Sequence, residues 1–260
     1  MTTRWDALVR ELGGRGDALL YLADRVLDRA SGGRARVVKY HVVAQPIGRA
    51  GAYAVLRDDG RTRIEPAPPS HPCVADFPRP PAVVARRYRD GAQCLVATVG
   101  AAFAGFLWWQ PHRYDEDEVR CRYELADAAR SVWDFDVHVE PRWRLGRTLA
   151  RLWAEADRRL AAQGIEWSFS RISAFNRASL AAHSRLGARR CASAVFVVLG
   201  PLQLSWLAGA DGARAAWPRW SIGERGKPRL VLAPPATTAP STALPARAPL
   251  VSDEPRPARR

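Results

Sequence analysis

The chain has 260 residues, 47% of them apolar, which is enough for one large domain with a proper core. A formal charge of +14 raises the question of a polyanion partner. Lys occurs only at Lys39 and Lys227, however, so nearly all of that charge is Arg, dispersed along an Ala-, Gly- and Pro-rich chain. GC-rich coding produces this pattern whatever the function, and the Arg residues are not interleaved with aromatics in one block, so nucleic acid is a disfavoured partner.

The four cysteines, Cys73, Cys94, Cys121 and Cys191, are widely spaced and form no pair at a metal-ligand interval, so no metal is expected. Buried thiols in a reducing compartment fit them better than disulfides. Asp6, Arg10 and Glu11 interrupt the apolar residues near the N-terminus, and Ala194 to Ala208 is too short to span a bilayer. A cytoplasmic protein without a membrane partner is therefore expected, and its oligomeric state stays open.

Apolar residues recur at helical spacing between Trp5 and Ala30, broken by Gly13, Gly14 and Gly16, which predicts two short helices. Val37 to Val43 reads as a strand, Asp58 to Gly60 as a turn and Arg61 to Glu65 as a second strand. Pro66 to Pro81 carries seven prolines and is a connecting loop. A short helix over Ala82 to Arg89 precedes a hairpin over Gln93 to Gln110. Val119 to Leu125 and Val132 to Val139 are further strands, and the acidic run Asp115 to Glu118 before them reads as a solvated loop.

Arg147 to Gln163 is the clearest helix: Leu149, Leu152, Trp153, Ala156 and Leu160 form one stripe, and Gly164 ends it. A strand over Glu166 to Ile172, a helix over Arg177 to Leu186 and a strand over Arg190 to Leu199 follow, an order that implies a right-handed crossover beside an otherwise antiparallel sheet. Leu202 to Leu207 and Arg229 to Leu232 could add edge strands. Pro234 to Arg260 lacks large side chains and reads as a disordered tail. The expected organisation is residues 1–90 on the substrate side, a core over 91–200, C-terminal strands over 201–233 and the tail over 234–260.

The informative segment runs from Val132 to Ala154. A strand leads into the turn Trp143, Arg144, Leu145, Gly146, Arg147 and Thr148, and an amphipathic helix starts there. Such a turn presents the first backbone N–H groups of the helix, and its dipole, to an anion; Gly146 permits close approach and Arg144 and Arg147 add charge. This stretch resembles the (Arg/Gln)-x-x-Gly-x-(Gly/Ala) loop of GNAT N-acyltransferases, with Trp143 and Thr148 standing where other residues are usual. Asn176, Ser179, His183 and Gly187 resemble the second half of that family's core, with His183 in place of the usual Tyr.

The resemblance implies a GNAT-like α+β fold, a mixed and mostly antiparallel sheet with flanking helices. It implies acetyl-CoA as acyl donor and an amine-bearing acceptor of unknown identity. It further implies that the backbone amides of Val137, His138 and Val139 bind the thioester and pantetheine, that Asn176 and Ser179 contact the pantetheine arm, and that His183 protonates the thiolate. Asn176 also fits a helix N-cap, and His183 also fits a packing role. Alternation along the strand puts Asp134, Asp136 and His138 on one face, with Asp134 or Asp136 as the candidate base and Glu124 as a third. The alternative function is a catalytically degenerate GNAT-fold protein that binds acyl-CoA or a partner.

Overall fold

The structure is a computed structural model and describes residues 3–48, 56, 58–209 and 218–235. All but the first two residues of the expected tail lie outside that set. Nine strands form one sheet in which eight neighbouring pairs include a single parallel one. In chain order its strands are β1 (Ala35–Pro46), β2 (Thr62–Pro66), β3 (Gln93–Val99), β4 (Ala102–Gln110), β7 (Ser131–Val139), β8 (Trp167–Ser173), β9 (Arg189–Leu199), β10 (Leu202–Gly209) and β11 (Arg219–Ile222). Their spatial order is β11-β10-β9-β1-β8-β7-β4-β3-β2. A second sheet of three short strands, β5 (Arg113–Asp115), β6 (Arg122–Leu125) and β12 (Arg229–Leu232), covers part of one face. The helices are α1 (Arg4–Leu12), α2 (Arg15–Ser31), α3 (Pro81–Arg89), α4 (Thr148–Ala162) and α5 (Arg177–Arg185).

Two layers of core follow from strand alternation. Val132, Leu95, Ala97, Leu107 and Trp109 point at the apolar stripe of α4, formed by Leu152, Trp153, Ala156 and Leu160. On the opposite face Trp133, Phe169, Tyr40 and Phe196 pack with Tyr114 and Tyr123 from the small sheet, and Phe106 and Trp108 pack with Phe77 and Val84 from the α3 region. The Pro-rich segment is a loop broken by a 3₁₀ turn over Pro72–Asp76.

The first strand does not sit at the sheet's edge. β1 is inserted between β8 and β9, antiparallel to both, and is buried along most of its length, as its β-branched run requires of a central strand. α2 is tied to it by a hydrogen bond from the Val37 N–H to Asp24 (2.9 Å) and by the Lys39–Asp17 ion pair. The N-terminal segment thus completes the half of the sheet that follows α4.

The acidic run is no solvated loop. Each of its carboxylates has a basic partner: Asp115 with Arg122 (2.9 Å), Glu116 with Arg171, Asp117 with Arg86 and Glu118 with Arg36 (2.8 Å). Glu116 is buried. Among the thiols, Cys94 and Cys121 are buried while Cys73 and Cys191 are only partly so; all four are free. Among the described residues, no helix is long and apolar enough to cross a membrane and no group of three or more His, Cys, Asp or Glu could hold a metal ion.

Gly105 on β4 stands where β4 and β7 approach most closely, since a Cβ there would lie 2.4 Å from the His138 carbonyl oxygen, a backbone atom that cannot swing aside. Gly105→Ala should therefore destabilise the protein by about 2 kcal/mol through overpacking, read as a lower urea midpoint at unchanged slope.

Candidate functional site

β7 and β8 are parallel neighbours only from Ser131 to Trp133, opposite Trp167 to Phe169. Beyond Trp133 the two strands part, although β7 runs on to Val139 and β8 to Ser173. The result is a fork in the middle of the sheet. β7 stays paired to β4 on its other side, and there the Glu140 N–H donates to the Ala104 carbonyl (2.9 Å). Antiparallel pairing turns successive backbone groups to opposite sides, so His138 also bonds toward β4 while the N–H groups of Val137 and Val139 point into the fork. Of the three amides expected to act together, the outer two are aimed into the fork and the His138 amide is not.

A β-bulge at Trp108/Trp109 breaks the alternation of β7. Asp134 keeps the α4 side, where it accepts a hydrogen bond from the Ser168 hydroxyl on β8 (2.7 Å) at the base of the fork. After the bulge, Phe135, Asp136 and His138 all belong to the opposite face. Asp136 is held by Arg79 at both oxygens (2.8 and 2.7 Å) and by Arg87 (2.7 Å), and His138 contacts Glu140 (3.0 Å) and stacks on Phe103. The shared polar face expected of Asp134, Asp136 and His138 is thus broken by one extra residue. Both Asp136 oxygens are also already taken up by these three bonds to guanidinium groups.

Burial pushes the Asp134 carboxyl up to about 7, against the opposing pull of Ser168 and Ser170. His183 lies on the same side of the sheet: its Nδ1 contacts Gln45 Oε1 on β1 (3.1 Å) and its ring meets Trp153 edge-on (5.8 Å between centroids). Burial pushes its imidazolium down to about 4. Neutral at neutral pH and packed between Gln45 and Trp153, His183 is poorly suited to the proton-donor role expected of it.

β7 leads through Glu140 and a 3₁₀ turn over Pro141–Trp143 into α4. Arg147 is the N-cap residue and makes no side-chain cap, and the first turn holds no acidic side chain, so the first N–H groups of α4 have no intrahelical acceptor. A Cβ on Gly146 would lie 3.3 Å from the Trp143 carbonyl oxygen, so the turn is tight at that point. Arg144 folds back to donate to the Val139 carbonyl (2.9 Å), Arg142 lies over the Trp143 ring (5.6 Å), Leu145 is fully exposed, and Thr148 is buried. At α5, the Asn176 side chain accepts the Ser179 N–H (3.0 Å), so Asn176 is a genuine N-cap.

Sequence reasoning missed Ser168, Gln45 and the Arg171–Glu116 pair. The alternation of Ser168 and Ser170 with Trp167 and Phe169 is the signal that would have marked a polar face on β8. Gln45 and Arg171 carry no local signal, because their partners lie 138 and 55 residues away.

No family model matches the chain, and no curated protein does. Among solved structures, it is similar to an aminoglycoside acetyltransferase from an uncultured soil metagenomic sample, at 12% identity and a TM-score of 0.35 over 49% of this chain and 88% of that one. It is similar also to a tandem GNAT protein from the clavulanic acid biosynthesis pathway, at 16% and 0.44 over 70% and 57%. A GCN5-related N-acetyltransferase from Anabaena variabilis matches at 10% and 0.37 over 85% and 67%. Matches this remote add nothing about what the chain does, which must come from its own residues.

The fork's far side is walled by the buried Glu116–Arg171 pair. Glu116→Gln should cost on the order of 3 kcal/mol by leaving a guanidinium unpaired, and most of that loss should return in the Glu116→Gln, Arg171→Met double variant. Denaturant titration of the single and double variants checks both.

Proposed function

We propose that the protein transfers an acyl group from a coenzyme A thioester, acetyl-CoA in the simplest case, to an amine. The observation that carries this reading is the fork: the N–H groups of Val137 and Val139, without a strand partner among the described residues, face the gap beside β7, the strand that turns into α4, whose N-terminus has no side-chain cap. The amides of Val137 and Val139 suit a thioester carbonyl as it gains negative charge. The free first turn of α4, with Gly146 beside it, suits the pyrophosphate. This reading also calls for Asn176 and Ser179, on the first turn of α5, to meet the pantetheine arm, although the Asn176 oxygen is committed to its cap.

Asp134 then serves as the proton relay. The neutral amine attacks the thioester carbon, the bond to sulfur breaks, Asp134 accepts the proton that the nitrogen sheds, directly or along water in the fork, and passes it to the departing thiolate. A carboxyl with a pKa near 7 lies between the two partners, so neither transfer is steeply uphill. No separate acid is needed, which removes the demand on His183. The alternative, a fold that binds acyl-CoA without transferring the acyl group, draws support from the neutral His183 and from the Arg pairing of the other nearby carboxylates.

Acetyl-CoA should raise the melting temperature of the purified chain, and Gly146→Glu should abolish that shift by placing bulk and negative charge at the pyrophosphate; an unchanged shift in the variant would refute the loop assignment. Asp134→Asn should retain coenzyme binding but lower kcat by about 10²-fold or more. Because the base form of Asp134 is required, kcat/KM of the unmodified chain should rise with pH through about 7 and then level, and the variant should lose that limb. Binding without turnover across an amine panel would favour the alternative.

A further inference from the structure

On the face of the sheet away from α4, a cleft of about 730 Å³ opens between the C-terminal end of α3 and the β4–β5 turn. Its size is that of a small-molecule site. Phe135 lines it, and that residue sits on β7 only two positions beyond the last β7–β8 pair. The cleft therefore borders β7 on the side opposite α4.

Most charges lining the cleft are already neutralised. Asp117 pairs with Arg86 and, at 3.8 Å, with Arg87; Arg87 also pairs with Asp136 (2.7 Å); Asp115 pairs with Arg122 (2.9 Å) and Lys227 (3.0 Å). Once these are set aside, Arg89, Arg113 and Asp90 remain without an ion pair among the described residues, leaving an excess of one guanidinium at the rim. Arg89 ends α3 on one side, and Arg113 begins β5 on the other.

The turn that presents Arg113 is fixed rather than loose. His112 is the only non-glycine residue at positive φ among those described (68°). Its carbonyl accepts the Leu125 N–H (2.8 Å), the Arg113 N–H donates to Pro111 (2.8 Å), and the Gln110 side-chain amide donates to the Arg113 carbonyl. A non-glycine residue held in the left-handed region by its surroundings is a conformation that has to be maintained, and such residues cluster at ligand sites. Here it sets Arg113 and the His112 imidazole at the mouth of the cleft.

We infer that this cleft binds an anionic group, a carboxylate or a phosphate, between Arg89 and Arg113. On the acyl-transfer reading proposed above, the anion is part of the acceptor, whose amine lies at the Phe135 end of the cleft, toward β7. The acceptor class is then an amine that also carries an acidic group, with Asp90 available for a second cationic centre. Planar, fork-shaped guanidinium groups suit both oxyanions, so the shared chemistry is what the cleft selects.

Calorimetric titration of the full chain, without coenzyme A, tests the anion site by itself. The probes are glucosamine 6-phosphate against glucosamine, and triglycine against its C-terminal amide. At least one acidic member should bind about tenfold or more tightly than its neutral counterpart, and the pair that discriminates identifies phosphate or carboxylate as the anion. Arg89→Gln and Arg113→Gln should each remove about that factor, with Arg113→Lys retaining part of it. Equal affinity within both pairs, or glutamine variants that bind like the unmodified chain, overturns the inference. Coenzyme A binding is measured in a separate titration: its absence overturns the acyl-transfer reading and leaves an observed anion preference standing, whereas coenzyme binding without that preference does the reverse.

Discussion

The parting of β7 from β8 after Trp133 is the constraint from which the rest of the site follows. A strand in the middle of a sheet has donors and acceptors on both sides, and β7 loses one set of partners for half its length. Such groups are costly to bury unpaired. The chain does not remove the cost by shortening β7. It keeps β7 paired to β4 as far as Val139, with Gly105 allowing the close contact there, so the bare edge persists beside the gap. On the proposed function, that open backbone edge is the surface that receives the thioester.

A sheet that divides in its middle needs bridges across the division, and the Asp115–Glu118 segment supplies one. Asp117 reaches back to Arg86 and Arg87 on α3, on the β7 side. Glu116 and Glu118 reach forward to Arg171 on β8 and to Arg36 and Tyr40 on β1. Tyr114 at the head of this strap stacks on Phe135 (4.8 Å), and Arg171 lies over the Tyr40 ring (4.7 Å). The two halves are thereby joined on one face by ion pairs, with the Glu116 carboxylate buried among them, and on the other by α4, whose ring contact with His183 touches α5. Ionic bridging of this kind is a weak source of net stability but a strong penalty on any arrangement that separates the partners, so it fixes the width of the fork more than it strengthens the fold.

What could be read from the sequence divides along the range of the interactions. The α4 stripe, the hairpin of β3 and β4, and the order strand, helix, strand from β7 onward depend on residues within one or two turns of each other, and periodicity reveals them. The loop into α4 was legible for the same reason. The bulge was not: one extra residue near Phe135 sends Asp136 and His138 to the face opposite Asp134, and nothing in the local alternation betrays it. The acidic run looked solvated because each of its partners is supplied from elsewhere in the chain, with Arg36 lying 82 residues from Glu118. The insertion of β1 between β8 and β9 is likewise a pairing of distant segments, and a strand's own sequence indicates that it is central without naming its neighbours.

The two titratable groups on the α4 side of the fork are perturbed in opposite directions by one cause. Burial raises Asp134 and lowers His183, and in both cases it is the charged form that is penalised. The interior of the fork is therefore a place that resists charge, while Asp136 and Glu116 are held by their arginines on the other face. For acyl transfer this division has a direct consequence. A neutral amine and a neutral thioester suit such an interior, whereas an ammonium ion does not, so entry itself favours the reactive protonation state. Charge then appears only on the thioester oxygen as the nucleophile adds, and in a poorly solvated space two fixed N–H dipoles count for far more than they would in water. On the acyl-transfer proposal, the same desolvation that holds His183 neutral strengthens the amides of Val137 and Val139 toward that oxygen.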